Sequence, residues 1–205
     1  MKKVIVNHWM EIIKSHKNFD NEKLSQIEYG LTAIYLTISK LIIIVTISII
    51  VGILKEMLIF LVIYNMLRMP SFGIHATKSS ICLIFSIIAF IGLPILCIKI
   101  IIPLSVKIVL GIIGVMFMLK NSPADTHKKP IVNPKRRLAY KLISTFISII
   151  FVIISLIIKN NYISNCFIIN LILQNITISP ITYRIFKQPY NNYKTFLKNN
   201  PNFLN

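Results

Sequence analysis

Residues 31–54 read LTAIYLTISKLIIIVTISIIVGIL, and Lys40 is the only charged side chain in this run. A helix that crosses a bilayer needs roughly 20 predominantly apolar residues, so the run predicts a membrane-spanning helix. The rest of the chain has the same character, since the 205 residues are 55% hydrophobic and have a mean hydropathy of +0.73. This composition argues strongly against a water-soluble globule.

Five further apolar runs indicate additional spans. They cover residues 57–69, 81–98, 100–119, 142–158 and 162–180. The first of these is short, and three interpretations of it stay open: a tilted span, one arm of a re-entrant hairpin, or a continuation of the preceding run across Lys55 and Glu56. The sequence therefore predicts an all-α polytopic membrane protein with six transmembrane helices.

The basic residues set the expected orientation of these spans. The chain has 23 Lys and Arg against 6 Asp and Glu, a net charge of +17. Short cytoplasmic loops collect Lys and Arg, and six spans with the N-terminus inside leave only Lys55, Lys99 and Lys159 outside the cell. We therefore expect both termini in the cytoplasm, with anionic membrane lipids as partners of the basic loops. A nucleic-acid binder can be equally basic, but the chain has no reading motif, so no nucleic-acid partner is expected.

Three regions follow from this layout. Residues 1–30 interleave apolar with charged side chains, as in an amphipathic helix or helix pair lying on the membrane surface. Residues 31–183 form the six-span domain, and residues 184–205 form a polar cytoplasmic tail. The Asn-rich part of the tail, residues 188–205, is expected to be poorly ordered.

Polar chemistry concentrates in residues 68–82, which read RMPSFGIHATKSSIC between the second and third predicted spans. Pro70 and Gly73 disfavour a continuing helix, so His75 is expected in or beside a loop. Ser79 or Ser80 is a suitable N-cap for the following helix. Cys82 then falls in the first turn of that helix.

A cysteine in that position can become a nucleophile. Backbone N–H groups and the helix dipole stabilise a thiolate at a helix start, and a nearby His75 would accept the proton of the Cys82 thiol. Seven residues of unbroken helix rise about 10.5 Å, so the loop must fold back for the two side chains to meet. On the residues alone, a buried structural cysteine beside a loop histidine stays an alternative. Cys97 and Cys166 lie in apolar surroundings and are predicted to be structural.

Two motifs together resemble one known family. Arg68, Gly73, His75-Ala76 and Cys82 follow the pattern of the accessory gene regulator protein B (AgrB) family of Gram-positive membrane peptidases, in which a cysteine lies seven residues after the histidine. Residues 123–131, PADTHKKPI, resemble the central loop signature of the same family, although His127 stands where many relatives continue a Lys run. The resemblance covers essentially the whole chain.

The resemblance implies a membrane cysteine endopeptidase of the bacterial cell membrane that acts at the cytoplasmic face in quorum sensing. Cys82 would be the nucleophile and His75 the general base. The substrate would be a short AgrD-type pro-peptide, whose C-terminal part is removed through a thioester before the remainder closes to a thiolactone or lactone. The implied protein needs no cofactor and can form a homodimer. The residues expected to bind substrate are Arg68, Gly73, Lys128, Lys129 and Lys40.

Several alternatives stay open. Lys128 and Lys129 could attract an acidic part of the peptide or only set topology and contact lipid. Asp125 is a candidate third catalytic member, but an acid in a Pro-Ala-Asp-Thr turn commonly binds local backbone. Lys107 is expected to extend toward the headgroups. The competing function is a small non-enzymatic membrane transporter or peptide exporter, which should show internal repeats; none is evident.

Overall fold

The computed structural model describes residues 2–16, 20–74, 79–126 and 130–199, and all regular secondary structure in these ranges is helical. The chain divides into two compact units, residues 1–51 and residues 52–205. The helices are α1 (Lys2–His16), α2 (Asn21–Val51), α3 (Leu54–Ser71), α4 (Ser79–Ile87), α5 (Leu93–Lys99), α6 (Leu104–Asn121), α7 (Pro134–Ile157), α8 (Asn161–Ile178), α9 (Pro180–Ile185) and α10 (Asn192–Asn199). This confirms the predicted all-α class.

The first unit consists of α1 and α2, which pack against each other. Helix α2 runs through residue 30 without interruption, so the predicted surface segment and the first apolar run share one helix. It ends at Val51, and Gly52 follows with φ +77°, a left-handed conformation that commonly terminates helices. A new helix begins at Leu54. The interpretation of residues 57–69 as a continuation of the first run is therefore wrong.

Helix α8 is the centre of the second unit. It packs against α3, α5, α6 and α7, and ten of its 18 residues are buried. Buried residues occur around its whole circumference, which is typical of a helix surrounded by others. Its core neighbours include Phe60, Leu67, Met118 and Phe151, all of which are fully buried.

Amide side chains of α8 bind backbone carbonyls of neighbouring helices. Asn165 Nδ2 donates to the carbonyls of Cys97 at 3.2 Å and Ile100 at 2.8 Å, at the end of α5. Asn175 Nδ2 donates to the carbonyl of Gly114 in α6 at 3.0 Å. In apolar surroundings a buried polar group without a partner is costly, so these bonds favour one arrangement of the helices.

The same helix also holds α3. Asn170 Nδ2 donates to the carbonyl of Phe60 at 3.4 Å. Four residues further along α8, Gln174 Nε2 donates to Ser71 Oγ at 2.6 Å and to the carbonyl of Phe72 at 2.7 Å. Gln174 therefore closes the C-terminal end of α3, where the loop toward the predicted histidine begins.

Prolines shape the third and fourth predicted spans. Helices α4 and α5 are joined by one turn of π-helix, Ile88–Gly92, directly before Pro94. A wider turn relieves the clash between a proline ring and the carbonyl four residues earlier. Helix α6 begins immediately after Pro103. Both prolines therefore lie at irregular positions of the helical chain.

Four helical stretches in the described ranges are long and apolar enough to cross a membrane. They are Lys23–Val51, Ser80–Lys99, Leu104–Asn121 and Pro134–Ile157. The two other predicted spans coincide with α3 and α8, but α3 contains Lys55, Glu56 and Arg68, and α8 contains buried amides. Several membrane-spanning helices are thus supported, whereas the count of six and the orientation stay predictions.

Two expectations about polar residues are wrong. Lys107 does not extend toward the surface, because it is 7% exposed and its Nζ donates to Ser164 Oγ on α8. The described part of the tail, residues 188–199, also packs more closely than its composition indicates. Asn192 is 4% exposed, and the ring of Tyr190 packs on that of Tyr183 with centroids 5.1 Å apart. Composition alone misses both features, since their partners lie far away in sequence.

Candidate active site

Cys82 is the fourth residue of α4, which begins at Ser79. It is half-buried and forms no disulfide. The expectation that Ser79 or Ser80 caps this helix is wrong, because both residues already lie within its first turn. Cys82 nevertheless occupies that turn, where the helix dipole favours a negative charge.

Arg68 lies in the last turn of α3 and binds the loop that follows it. Its Nη2 donates to the carbonyls of Gly73 at 3.2 Å and Ile74 at 2.7 Å, and its Nη1 donates to Thr177 Oγ1 at 3.0 Å. A guanidinium has several donors in a fixed plane, which suits a site with three separate acceptors. In the structure Arg68 therefore contacts the protein's own chain.

Gly73 is required by the close approach of Arg68. Its φ is +116°, a conformation that side chains rarely adopt. A Cβ at this position would also lie 2.3 Å from Arg68 Nη1 and 3.0 Å from the carbonyl oxygen of Thr177. Gly73 and Arg68 therefore both fix the conformation of the loop that follows α3.

Backbone hydrogen bonds hold the same loop on two sides. The N–H of Ile74 donates to the carbonyl of Thr177 at 3.1 Å, at the end of α8. The N–H of Gly73 donates to Ala124 O at 2.9 Å, and the N–H of Ala124 donates to Ser71 O at 3.0 Å. The chain entering residue 75 is thus fixed by both α8 and the central loop.

His75 itself lies outside the described residues, as do Ala76, Thr77 and Lys78. The described chain on each side of this gap contacts the segment 177–186. Before the gap Ile74 binds Thr177, and after it Phe85, in the second half of α4, packs on Phe186 with ring centroids 5.4 Å apart. The distance between Cys82 and His75 stays a prediction.

Asp125 anchors the central loop. It is 1% exposed, and its carboxylate accepts hydrogen bonds from the backbone N–H groups of Asn192 at 3.1 Å, Tyr193 at 2.8 Å and Ile131 at 3.4 Å. Arg137 Nη1 lies 3.7 Å from Asp125 Oδ2. Both carboxylate oxygens are engaged by these groups, which supports a structural role over orientation of a catalytic imidazole.

Tyrosines complete the packing around Asp125. The Tyr183 hydroxyl donates to the carbonyls of Ala124 at 3.1 Å and Asp125 at 3.0 Å. Burial raises the pKa of Tyr183, and burial also raises that of Tyr190. Both hydroxyls therefore stay neutral near pH 7 and can act as hydrogen-bond donors.

The remaining predicted residues are placed only in part. Lys128 and Lys129 lie outside the described residues, so their role in substrate binding stays a prediction. Lys40 is a half-buried residue of α2 in the first unit. Cys97 and Cys166 are fully buried, as expected of structural thiols. In the described part of the chain, no three His, Cys, Asp or Glu side chains are grouped to hold a metal ion.

The sequence-based site omitted Gln174, Thr177 and Tyr183, although they hold the loops that carry the motif residues. A signal for the first two exists in the sequence. The apolar run 162–180 contains Asn165, Asn170, Gln174, Asn175 and Thr177, and polar side chains in a membrane helix commonly bind neighbouring helices.

Fold and site together define a helical membrane protein with a cysteine at a helix start beside a tightly anchored polar loop. The sequence model of Accessory gene regulator B (AgrB) matches residues 6–178. The chain therefore belongs to the AgrB family. No solved structure matches it.

Relatives from several bacteria support this assignment. An AgrB-like protein of Clostridium acetobutylicum is 28% identical over 184 residues, 90% of this chain and 88% of the relative. One of Listeria monocytogenes serovar 1/2a is 30% identical over 189 residues, 90% of this chain and 91% of the relative. Accessory gene regulator protein B of Staphylococcus aureus (strain MW2) is 34% identical over 155 residues, 75% of this chain and 82% of the relative.

The substitution Asp125→Ala tests the anchoring of the C-terminal segment. Hydrogen bonds to a charged group contribute about 1.5–3 kcal/mol each, so we expect amide hydrogen exchange in residues 188–199 to accelerate at least about tenfold. Glu28→Ala removes an exposed acid from α2 and serves as the control. Equal exchange in the two variants would contradict the anchoring role.

Proposed function

We propose that this protein is a membrane cysteine endopeptidase that removes the C-terminal part of a short AgrD-type pro-peptide. Cys82 is the nucleophile and His75 the general base. The observation that carries the proposal is that the chain is held by contacts both before and after the segment that contains His75. Ile74 is bound by Thr177, and the helix of Cys82 packs on Phe186. Membership of the AgrB family supports the same conclusion.

The first step forms a thioester. The thiol proton of Cys82 passes to the imidazole of His75, and the thiolate attacks the carbonyl carbon of the scissile peptide bond. As the C–N bond breaks, the imidazolium returns the proton to the leaving amine. The C-terminal segment departs with a free amino group, and the N-terminal part stays bound to Cys82 through its carbonyl carbon.

The second step closes the ring. A Cys or Ser side chain within the bound peptide attacks the thioester, its proton passes through His75 to the Cys82 sulfur, and a thiolactone or lactone is released. Thioester exchange conserves the activated bond and requires no ATP. Water must be excluded and the internal nucleophile held close, which suits a site at the end of several packed helices.

The contacts in the loop favour one source of oxyanion stabilisation. Backbone N–H groups at the start of α4, residues 80–82, and the guanidinium of Arg68 are the two candidate donors to the oxyanion of the tetrahedral intermediate. The Arg68 donors already bind Gly73, Ile74 and Thr177. The helix start is therefore the better candidate, and Arg68 acts by holding the loop before His75 in place.

The proposed membrane arrangement has six spans, with both termini and the active site at the cytoplasmic face. Helices α3 and α8 are the fifth and sixth spanning elements beside the four apolar ones. Their polar side chains find partners within the bundle, as Gln174 does with Ser71, and such pairing makes polar residues tolerable in a membrane. Lys128 and Lys129 then lie on the side where an acidic pro-peptide segment would arrive.

Substitution of the two catalytic residues tests the activity. With purified protein in liposomes and a fluorescent AgrD-type peptide, we expect Cys82→Ala to reduce cleavage at least about 1000-fold. His75→Ala should reduce it at least about 100-fold, because general base catalysis contributes that much. Cys97→Ala and Cys166→Ala are the matched controls and should retain cleavage.

Two outcomes of this assay would contradict the proposal. Equal cleavage by the parent and the Cys82→Ala variant would exclude the assigned nucleophile. Transport of intact peptide by the parent without any cleavage would instead favour the transporter alternative.

Replacing Arg68 by lysine tests its positioning role. A single ammonium cannot reproduce the planar set of donors that bridges two carbonyls and a hydroxyl. We expect Arg68→Lys to lower kcat about tenfold or more, since small misplacement of a catalytic group is costly, while the thermal midpoint changes little. Arg136→Lys, on the exposed face of α7, should leave kcat unchanged. An Arg68→Lys variant with parental kcat would rule out this role.

A further inference from the structure

A cavity of about 600 Å³ lies in the second unit, and its lining includes neither Arg68, Gly73 nor Cys82. It is bounded by the C-terminal end of α6, the first two turns of α7 and the chain around residues 190–193. Its lining includes Lys120, Arg137, Lys141, Tyr190 and Tyr193. A cavity of this size can hold a small polar molecule or headgroup.

The lining is strongly cationic. Lys120, Arg137 and Lys141 line the cavity, and none of the described residues that line it is an Asp or Glu. The buried acid beside it, Asp125, already accepts three backbone hydrogen bonds and pairs with Arg137. At least two of the three positive charges are therefore available to a ligand that carries negative charge.

Arg137 places a third positive charge beside the cavity. Its guanidinium stacks on the ring of Tyr193 at 3.7 Å, which fixes its plane. Its Nη1 atom is buried, lies 3.7 Å from Asp125 Oδ2 and has no hydrogen-bond partner within the described residues. Asp125 therefore offsets part of this charge, and Lys120 and Lys141 are the cations left to bind a ligand.

The surroundings of the cavity indicate the kind of ligand. Lys120 lies in the last turn of α6 and Arg137 in the first turn of α7, and both helices are apolar and long enough to cross a membrane. About one turn from these cations, toward the middle of each helix, exposed side chains are apolar. Met116 of α6 is 66% exposed and Leu142 of α7 is 57% exposed. A lipid can therefore place its headgroup beside the cations and its acyl chains along this apolar surface.

We propose that this cavity binds the phosphate headgroup of an anionic phospholipid. Basic cavities between the ends of membrane helices recognise such headgroups. The inference is independent of the peptidase proposal, because none of the cationic residues belongs to the Cys-His motif. The lipid ties the end of α6, the start of α7 and the C-terminal segment together.

The experiment measures lipid retention by the full-length protein. Protein is purified from vesicles of phosphatidylcholine with phosphatidylglycerol, and bound lipid is counted by native mass spectrometry. We expect phosphatidylglycerol to be retained in preference to phosphatidylcholine. The double variant Lys120→Gln/Lys141→Gln should weaken this retention roughly 30-fold, from about 1 kcal/mol for each basic residue.

A matched double variant controls for charge alone. Lys135→Gln/Arg136→Gln removes two exposed charges from the first turn of α7 that do not line the cavity, and it should retain phosphatidylglycerol like the parent. The single variant Lys120→Gln, at the exposed end of α6, should show an intermediate loss. Thermal midpoints without added lipid verify that the variants are folded.

Several results would overturn the inference. Equal loss in the two double variants would indicate a general charge effect. If inorganic phosphate or glycerol phosphate raises the thermal midpoint of the protein as much as phosphatidylglycerol does, the ligand is a soluble anion. If an acidic peptide displaces phosphatidylglycerol and raises the thermal midpoint more than the lipid does, the cavity binds a peptide.

Discussion

The polar side chains along α8 are the constraint on which the second unit depends. Asn165, Asn170, Gln174 and Asn175 are amides in an otherwise apolar helix, and each donates to a carbonyl or hydroxyl of the surrounding structure. Burying such groups without partners costs several kcal/mol in apolar surroundings. The donors of these amides find acceptors in the observed arrangement of α3, α5 and α6, so α8 favours this packing more specifically than apolar contacts alone would.

The same helix organises the chemistry at its C-terminal end. Gln174 closes the end of α3, and Thr177 receives both the guanidinium of Arg68 and the N–H of Ile74. The segment that follows α8 then supports the helix of Cys82 through Phe186. The loop before the predicted base and the helix of the predicted nucleophile thus both contact the segment that runs from Thr177 to Phe186.

The sequence predicts the helical class, the positions of most helices and the family, because long apolar runs and local motifs are properties of neighbouring residues. It also predicts that Cys97 and Cys166 are buried. Contacts between distant residues are a different matter. Asp125 binds the backbone of Asn192, 67 positions away, and no local pattern indicates this pair. The burial of Lys107 and the packing of residues 188–199 could not be predicted for the same reason, because the partners of both are brought together only by tertiary packing.

The most direct test of the central claim is whether the peptide becomes attached to Cys82. Purified protein is mixed with an AgrD-type peptide, quenched in acid after a short interval and measured by intact and peptide-level mass spectrometry. The account predicts an adduct of the N-terminal peptide fragment on Cys82 that hydroxylamine removes, as expected of a thioester. Two results would contradict the account. One is cleavage of the peptide without this adduct when the parent enzyme is slowed by low temperature, and the other is an adduct on Cys97 or Cys166.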